Sequence, residues 1–172
     1  MPTPVLRTPR LLLEPYRRAD AEVAVALLTD PEVGRYMGNG PMGETQARGV
    51  FDRLFSQVYP QDRFAVWAVR RDGELVGHAE IKRTDDVDGH EIIYALLPSA
   101  WGAGLGSEIA RAVVAHGFDT LGLSTVYATV AADNTASLAL LDRLGFRHER
   151  DVTEDDGSTT RVLARHRHPT AD

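Results

Sequence analysis

The chain has no cysteine in its 172 residues. That absence excludes disulfides, thiolate metal sites and a cysteine nucleophile. Any group transfer must therefore run directly or through another nucleophile. No apolar run approaches the length that spans a bilayer. The opening Met1-Pro2-Thr3-Pro4 lacks the charged-then-apolar layout of a signal peptide, so a cytoplasmic protein is expected. Basic residues are in deficit, and the formal charge is −6. Broad binding to nucleic acid or to an anionic membrane needs a basic surface, so neither partner is expected. A cationic or amine-bearing partner is compatible with this charge. Hydrophobic content of 43% and charged content of 26% are ordinary for a globular chain, and the length suits one domain, 1–172, with its own core.

What is present reads as alternating strands and helices. Arg10 to Tyr16 predicts a first strand ending near Pro15. Asp20 starts a helix that Asp30-Pro31 ends, and Pro31 to Tyr36 adds a short helical piece. Gly38 to Gly43 reads as a loop, and Thr45 to Tyr59 returns to helical spacing. Strands follow at Phe64–Arg70 and Glu74–Arg83, joined by a tight Asp72-Gly73 turn. His90 to Leu97 is a fourth strand, about Gly104 to Leu121 a helix, and Thr125 to Ala131 a fifth strand. Asn134 to Leu144 is a helix capped by Gly145, and a hairpin of Phe146–Val152 and Ser158–Arg165 closes the chain. The expected architecture is an α/β (α+β) domain, a mixed sheet of about seven strands with about four helices. The crossover between residues 90 and 131 should be parallel and right-handed.

The chemistry concentrates in Leu96-Leu97-Pro98-Ser99-Ala100-Trp101-Gly102-Ala103-Gly104-Leu105-Gly106-Ser107-Glu108. Glycines at every second position leave backbone N–H groups unshielded. The helix that opens there adds unpaired N–H groups and the positive end of its dipole. Together these form a phosphate or pyrophosphate cradle. A nicotinamide-binding turn is disfavoured: its glycines run G-x-G-x-x-G after the first strand, with an acidic residue ending the next strand. Here the turn follows the fourth strand, and the next ends Thr129-Val130-Ala131.

Trp101-Gly102-Ala103-Gly104-Leu105-Gly106 resembles the Q/R-x-x-G-x-G/A turn of the GNAT superfamily of N-acetyltransferases. Trp101 in the Gln/Arg position is similar to the ribosomal-protein-alanine N-acetyltransferase branch (RimJ/RimL-type). Further segments match that branch: Thr8-Pro9-Arg10-Leu11-Leu12-Leu13-Glu14-Pro15 with Asp20 and Asp30-Pro31-Glu32-Val33, then Glu91-Ile92-Ile93-Tyr94-Ala95-Leu96, then Asn134-x-x-Ser137 followed by Leu144-Gly145-Phe146. The resemblance covers nearly the whole chain.

It implies a wedge where the fourth and fifth strands splay apart to admit acetyl-coenzyme A (acetyl-CoA), with no metal. Tyr94, Ala95 and Leu96 would line the pantetheine arm, with the Leu96 N–H on the thioester carbonyl. Gly102, Ala103, Gly104, Leu105, Gly106 and Ser107 would hold the pyrophosphate. Ala103 stands where relatives often place a lysine or arginine. Asn134 would touch the pantetheine region, although Asp133-Asn134 also suits a helix cap. Relatives place a proton-donating tyrosine at the position of Leu141, so Ser137 is the candidate acid, or a binding contact only. Candidate bases are Glu91, His90 and Glu80, with Glu91 ranked first because the branch commonly carries Glu there; a salt bridge at the strand end would explain each equally well. Alternation puts His90 and Glu91 on opposite faces. The implied acceptor is a primary amine: a protein N-terminus, an aminoglycoside, an amino acid or another small molecule. The alternative is a module that senses acetyl-CoA without turnover. The family includes monomers and homodimers.

Other features carry plainer readings. His166-x-His168 has no cysteine or carboxylate partner nearby and reads as solvated rather than metal-binding. Asp85, Asp86 and Asp88 form a solvated acidic loop or a screen for a cationic acceptor, Gly38 to Glu44 falls where relatives wall the acceptor site, and Trp67 belongs to the core.

Overall fold

The computed structural model describes residues 2–36 and 40–168. Eight strands form one sheet: β1 (Leu6–Arg7), β2 (Leu12–Glu14), β3 (Ala65–Arg71), β4 (Glu74–Arg83), β5 (His90–Leu96), β6 (Thr125–Ala131), β7 (Arg147–Thr153) and β8 (Thr159–His166). Their order is β1-β2-β3-β4-β5-β6-β8-β7. Every neighbouring pair is antiparallel except β5 and β6, which are the parallel crossover. The strand beyond the expected seven is β1, two residues long and folded back on Leu12 and Leu13 across the Pro9 turn.

Among the described residues five α-helices accompany the sheet: α1 (Ala21–Thr29), α2 (Pro31–Gly34), α3 (Glu44–Arg53), α4 (Leu105–Ala115) and α5 (Thr135–Arg143). Two of the expected helices end in a widened turn. Tyr59 N–H reaches back five residues to Leu54, and Leu121 N–H to His116. The loop expected at Gly38 to Gly43 is seen as irregular backbone over Gly40–Gly43; Gly38 and Asn39 lie outside the described residues. Among the described residues, no helix is long and apolar enough to cross a membrane.

β3 shows why the sheet has two cores. Six of its seven residues are buried. Trp67 and Val69 enter the layer with Ile81, Ile92, Ile109 and Val113, beneath α4. Val66 and Ala68 face Tyr16, Phe51 and Leu54, beneath α1 and α3. A strand covered on both faces reads as a continuous apolar run, which is how Ala-Val-Trp-Ala-Val appears in the sequence.

One buried ion cluster ties this layer together. The Arg70 guanidinium, almost fully buried, donates to Glu14 at 2.6 Å and to Asp20 at 2.7 Å. Asp20 also accepts from the Arg17 backbone N–H at 2.7 Å. Asp20 thus starts a helical turn, as its sequence position suggests, but its carboxylate reaches back to Arg17 and across to β3.

Candidate active site

The sheet opens between β5 and β6. Only His90↔Val126 and Glu91↔Tyr127 pair across that boundary. Beyond Glu91, β5 stays bonded to β4 as far as Leu96↔Gly77, while β6 stays bonded to β8 as far as Ala131↔Thr160. The two halves diverge and leave one edge of β5 unpaired. Leu97 N–H bonds to Val76 on β4 at 2.8 Å, so strand alternation turns the N–H and C=O of Leu96, Tyr94 and Ile92 towards the opening. The Leu96 carbonyl is already taken there by the Trp101 indole N–H, at 2.8 Å.

The opening is a cleft in two parts, of about 400 and 410 Å³, which share Tyr36, Tyr94, Asn134 and Ser137. The lower part runs along Tyr94, Ala95 and Leu96 to Trp101, Gly102, Gly104, Leu105 and Gly106. Ala103 and Ser107 do not line it; they belong to the turn and the first helical turn behind it. Gly102 and Gly104 have φ of +78° and +74°, a region that costs any other residue strain. No side chain caps α4 at Gly104, so its first N–H groups are left for a ligand or solvent.

The turn is braced from behind. Arg10 donates from Nη1 to the Ala103 carbonyl at 2.7 Å and from Nε to Glu108 at 2.8 Å. Glu108 is buried and also accepts from the Arg10 backbone N–H and from Thr8. These donors and the Arg10 charge outweigh burial, which alone would raise its pKa, and hold its carboxyl below the usual range. A guanidinium therefore stands beside Ala103, at the turn where the sequence lacks its own cation.

The upper part of the cleft is built around Glu91. Its side chain is almost fully buried, at 3% exposure. Thr84 Oγ1 donates to one carboxylate oxygen at 2.8 Å, and Thr129 Oγ1 donates to the other. Asp86, Lys82 and Leu141 complete this wall. The other two candidate bases lie elsewhere. His90 opens on a separate cavity, as alternation requires. Glu80 is held on β4 by its neighbours: His78 bonds it at 2.8 Å and the Lys82 ammonium lies 2.6 Å from its other oxygen, a charge contact rather than an aligned hydrogen bond. His78 in turn contacts the Tyr16 hydroxyl at 2.8 Å.

Burial alone would raise the Glu80 pKa, but the His78 bond and charge, with Lys82, hold it at about 2. A depressed carboxyl stabilises the fold above its unfolded pKa, and that contribution is lost as pH falls from about 5 to about 2. Glu80→Gln should therefore lower the urea midpoint at pH 7 and flatten its decline between pH 5 and 3. A decline as steep as that of the parent protein would remove Glu80 as its source.

Asn134 serves as a cap: its Oδ1 accepts from the Ser137 N–H at 3.2 Å while the residue also lines the cleft. Ser137 Oγ stands 3.4 Å from the Tyr94 hydroxyl. Burial raises the Tyr94 pKa, so its phenol stays protonated and can donate a hydrogen bond at neutral pH. Sequence reasoning assigned Tyr94 only to lining. It also missed Thr84 and Thr129, although Thr129 lies two residues beyond Tyr127, the register partner of Glu91, and so on the same face.

Comparison with known proteins agrees with this layout. The chain is 36% identical over 152 residues to the uncharacterized N-acetyltransferase YoaA of Bacillus subtilis, covering 85% of this chain and 84% of that protein. It is 31% identical over 154 residues to the FsC-acetyl coenzyme A-N(2)-transacetylase of Aspergillus fumigatus, covering 84% of this chain and 66% of that protein. The fold superposes on spermidine N-acetyltransferase of Vibrio cholerae, solved with CoA and spermine, with a TM-score of 0.81 at 17% identity over 92% of this chain and 96% of that one. It also superposes on the ribosomal L7/L12 alpha-N-protein acetyltransferase RimL, solved with coenzyme A, with a TM-score of 0.79 at 15% identity over 95% and 98%. Residues 10–147 match the acetyltransferase (GNAT) domain, so this chain belongs to the GNAT family and is an acetyltransferase.

Proposed function

We propose that the chain moves an acetyl group from acetyl-CoA directly to a primary amine. The observation that carries this reading is the unpaired edge of β5, running from the glycine turn to the buried carboxylate of Glu91. The residues fit the cosubstrate. Gly102 to Ser107 offer the N–H cradle for its pyrophosphate, with Arg10 bracing the turn from behind through the Ala103 carbonyl. Tyr94, Ala95, Leu96 and Asn134 line the way for its amide-rich arm, as a strand added to a sheet. Acetyl-CoA supplies the activated acyl carbonyl and a thiolate leaving group.

The order along β5 assigns the backbone donors. The arm leaves the turn beside Leu96 and ends further up the strand. Leu96 N–H therefore suits an arm amide, and Tyr94 N–H suits the thioester carbonyl as an oxyanion donor. Glu91 lies three residues further on, roughly 10 Å at strand rise, which a side chain and one or two waters span. It takes the proton that the attacking nitrogen must shed. Attack forms the C–N bond, the C–S bond breaks, and Ser137, with the Tyr94 phenol behind it, returns a proton to the thiolate.

The matches to Trp-Gly-x-Gly and to the N-terminal segment favour the RimJ/RimL-type branch and hence a protein N-terminal amine. The spermidine enzyme shares the fold with a polyamine acceptor, so small amines belong in the same screen. The test is free-thiol release from acetyl-CoA in the presence of N-terminal peptides, polyamines and amino acids. Release that depends on one acceptor class supports the proposal. Tight acetyl-CoA binding with no release for any amine would replace it with the sensing module, and absence of binding would sink both.

A further inference from the structure

A second cavity, of about 420 Å³, lies at the far end of the β3–β4–β5 ladder and shares only Lys82 with the catalytic cleft. Its wall is basic: Arg63, Lys82, Arg83, His90 and His116 line it, over the apolar floor of Ile81. Lys82 is neutralised by Glu80. Arg63 and Arg83 have no ion pair among the described residues, and Asp62 is the one carboxylate among the residues described in the wall.

The ladder explains why these charges meet. Arg83 pairs directly with His90. Arg63 lies two residues before β3, whose first pair is Ala65 with Ile81, and so at the same end of the ladder as Arg83. Like charges gathered at one end of a sheet repel, and an anion between them relieves that repulsion. Burial, and then the Arg83 charge, lower the His90 pKa. The His116 ring borders the cavity and packs edge-on against Trp67, yet the residue is 4% exposed and its Nδ1 is buried with no hydrogen-bond partner. An aliphatic side chain would pack there without stranding a polar atom.

We propose that this cavity is an anion-binding site, separate from the acetyl-transfer cleft. It takes a small molecule carrying a phosphate or carboxylate group, held between the forks of Arg63 and Arg83 beside His90 and His116. Guanidinium groups bind such oxyanions through paired N–H donors, which an isolated ammonium cannot supply.

The test uses the whole chain, free of coenzyme, at constant ionic strength. Inorganic phosphate and citrate are titrated separately, and the ring nitrogens of the histidines are followed by NMR. Saturable shifts confined to His90 and His116, with Kd near or below about 1 mM, are expected for one of the two probes. The probe that binds identifies the group: phosphate for a phosphate ester, citrate for a carboxylate. Arg63→Gln and Arg83→Gln should each weaken that binding at least tenfold while acetyl transfer without added anion continues unchanged. The unsubstituted protein should also melt at a higher temperature with the binding probe than with equal chloride. Shifts spread over all histidines, binding that survives both substitutions, or no saturation with either probe would overturn the proposal. None of these results depends on which amine the enzyme acetylates.

Discussion

Glu91→Gln should reduce kcat for acetyl transfer at neutral pH by about a hundredfold or more, the range usual for removing a general base. The substitution keeps the shape of the side chain, and Thr84 and Thr129 can still bond to it. Coenzyme affinity should therefore hold, because the glycine turn and the lower β5 edge are untouched. The pH profile separates a base from a structural residue. With Glu91 gone, the rate should climb as pH approaches the acceptor amine's own pKa, about 10 for an alkyl amine, since the amine then arrives neutral. Thr129→Val provides the intermediate case. Loss of one of its two hydroxyl donors loosens the carboxylate without removing it, so kcat should fall by less than in Glu91→Gln. Full activity of Glu91→Gln at pH 7 would assign proton removal to solvent and leave Glu91 as a strand-end support.

The largest stability change should come from Asp20→Ala. Its carboxylate serves the buried Arg70 guanidinium and the Arg17 N–H at once. Without it, Arg70 keeps only Glu14, in a place nearly closed to water. Breaking a buried pair from one side costs about 3–5 kcal/mol, and the surviving Glu14 contact argues for the lower end. Urea unfolding should show this as a lower midpoint with an unchanged slope. Asp20→Asn should lose less, because its amide oxygen can still accept from Arg17. The double variant Asp20→Ala, Arg70→Met should fall short of the summed single losses, because the stranded charge is removed. A sum that is simply additive would mean that the cluster does not act as a unit.

Much of this was legible in the chain, and particular residues show where legibility stopped. β5, the glycine turn and α4 follow from apolar runs, alternating glycines and helical spacing within one stretch. β1 did not, because two residues carry no periodicity of their own; Leu6 and Arg7 become a strand only by folding onto β2. The widened turns after α3 and α4 are invisible to a 3.6-residue period, which continues through them. At the site, alternation separated His90 from Glu91 correctly, and the structure leaves only Glu91 facing the cleft. Sequence could not rank Glu80 lower, since spacing does not say that the His78 and Lys82 side chains turn onto it. It gave no hint that Tyr94 would bring its hydroxyl to Ser137, or that Arg10 would stand beside Ala103, because those pairs are 43 and 93 residues apart.

The half-free β5 also bears on solubility. An exposed strand edge is a template for another chain to pair with, and most sheets blunt theirs with charge, proline or brevity. Here the edge lies inside a concavity rather than at the rim. The outer strands, β1 and β7, are respectively two residues long and dominated by charged side chains. The inner edge is closed at one end by its pairing with β6 and at the other by Pro98 and the Trp101 indole on the Leu96 carbonyl. A thin, flexible arm can thread that gap, whereas a second polypeptide with side chains on both faces meets β6 and α5 first. A second copy would thus have to reach this strand inside a concavity bounded by β6 and α5, rather than at a rim where β1 and β7 lie.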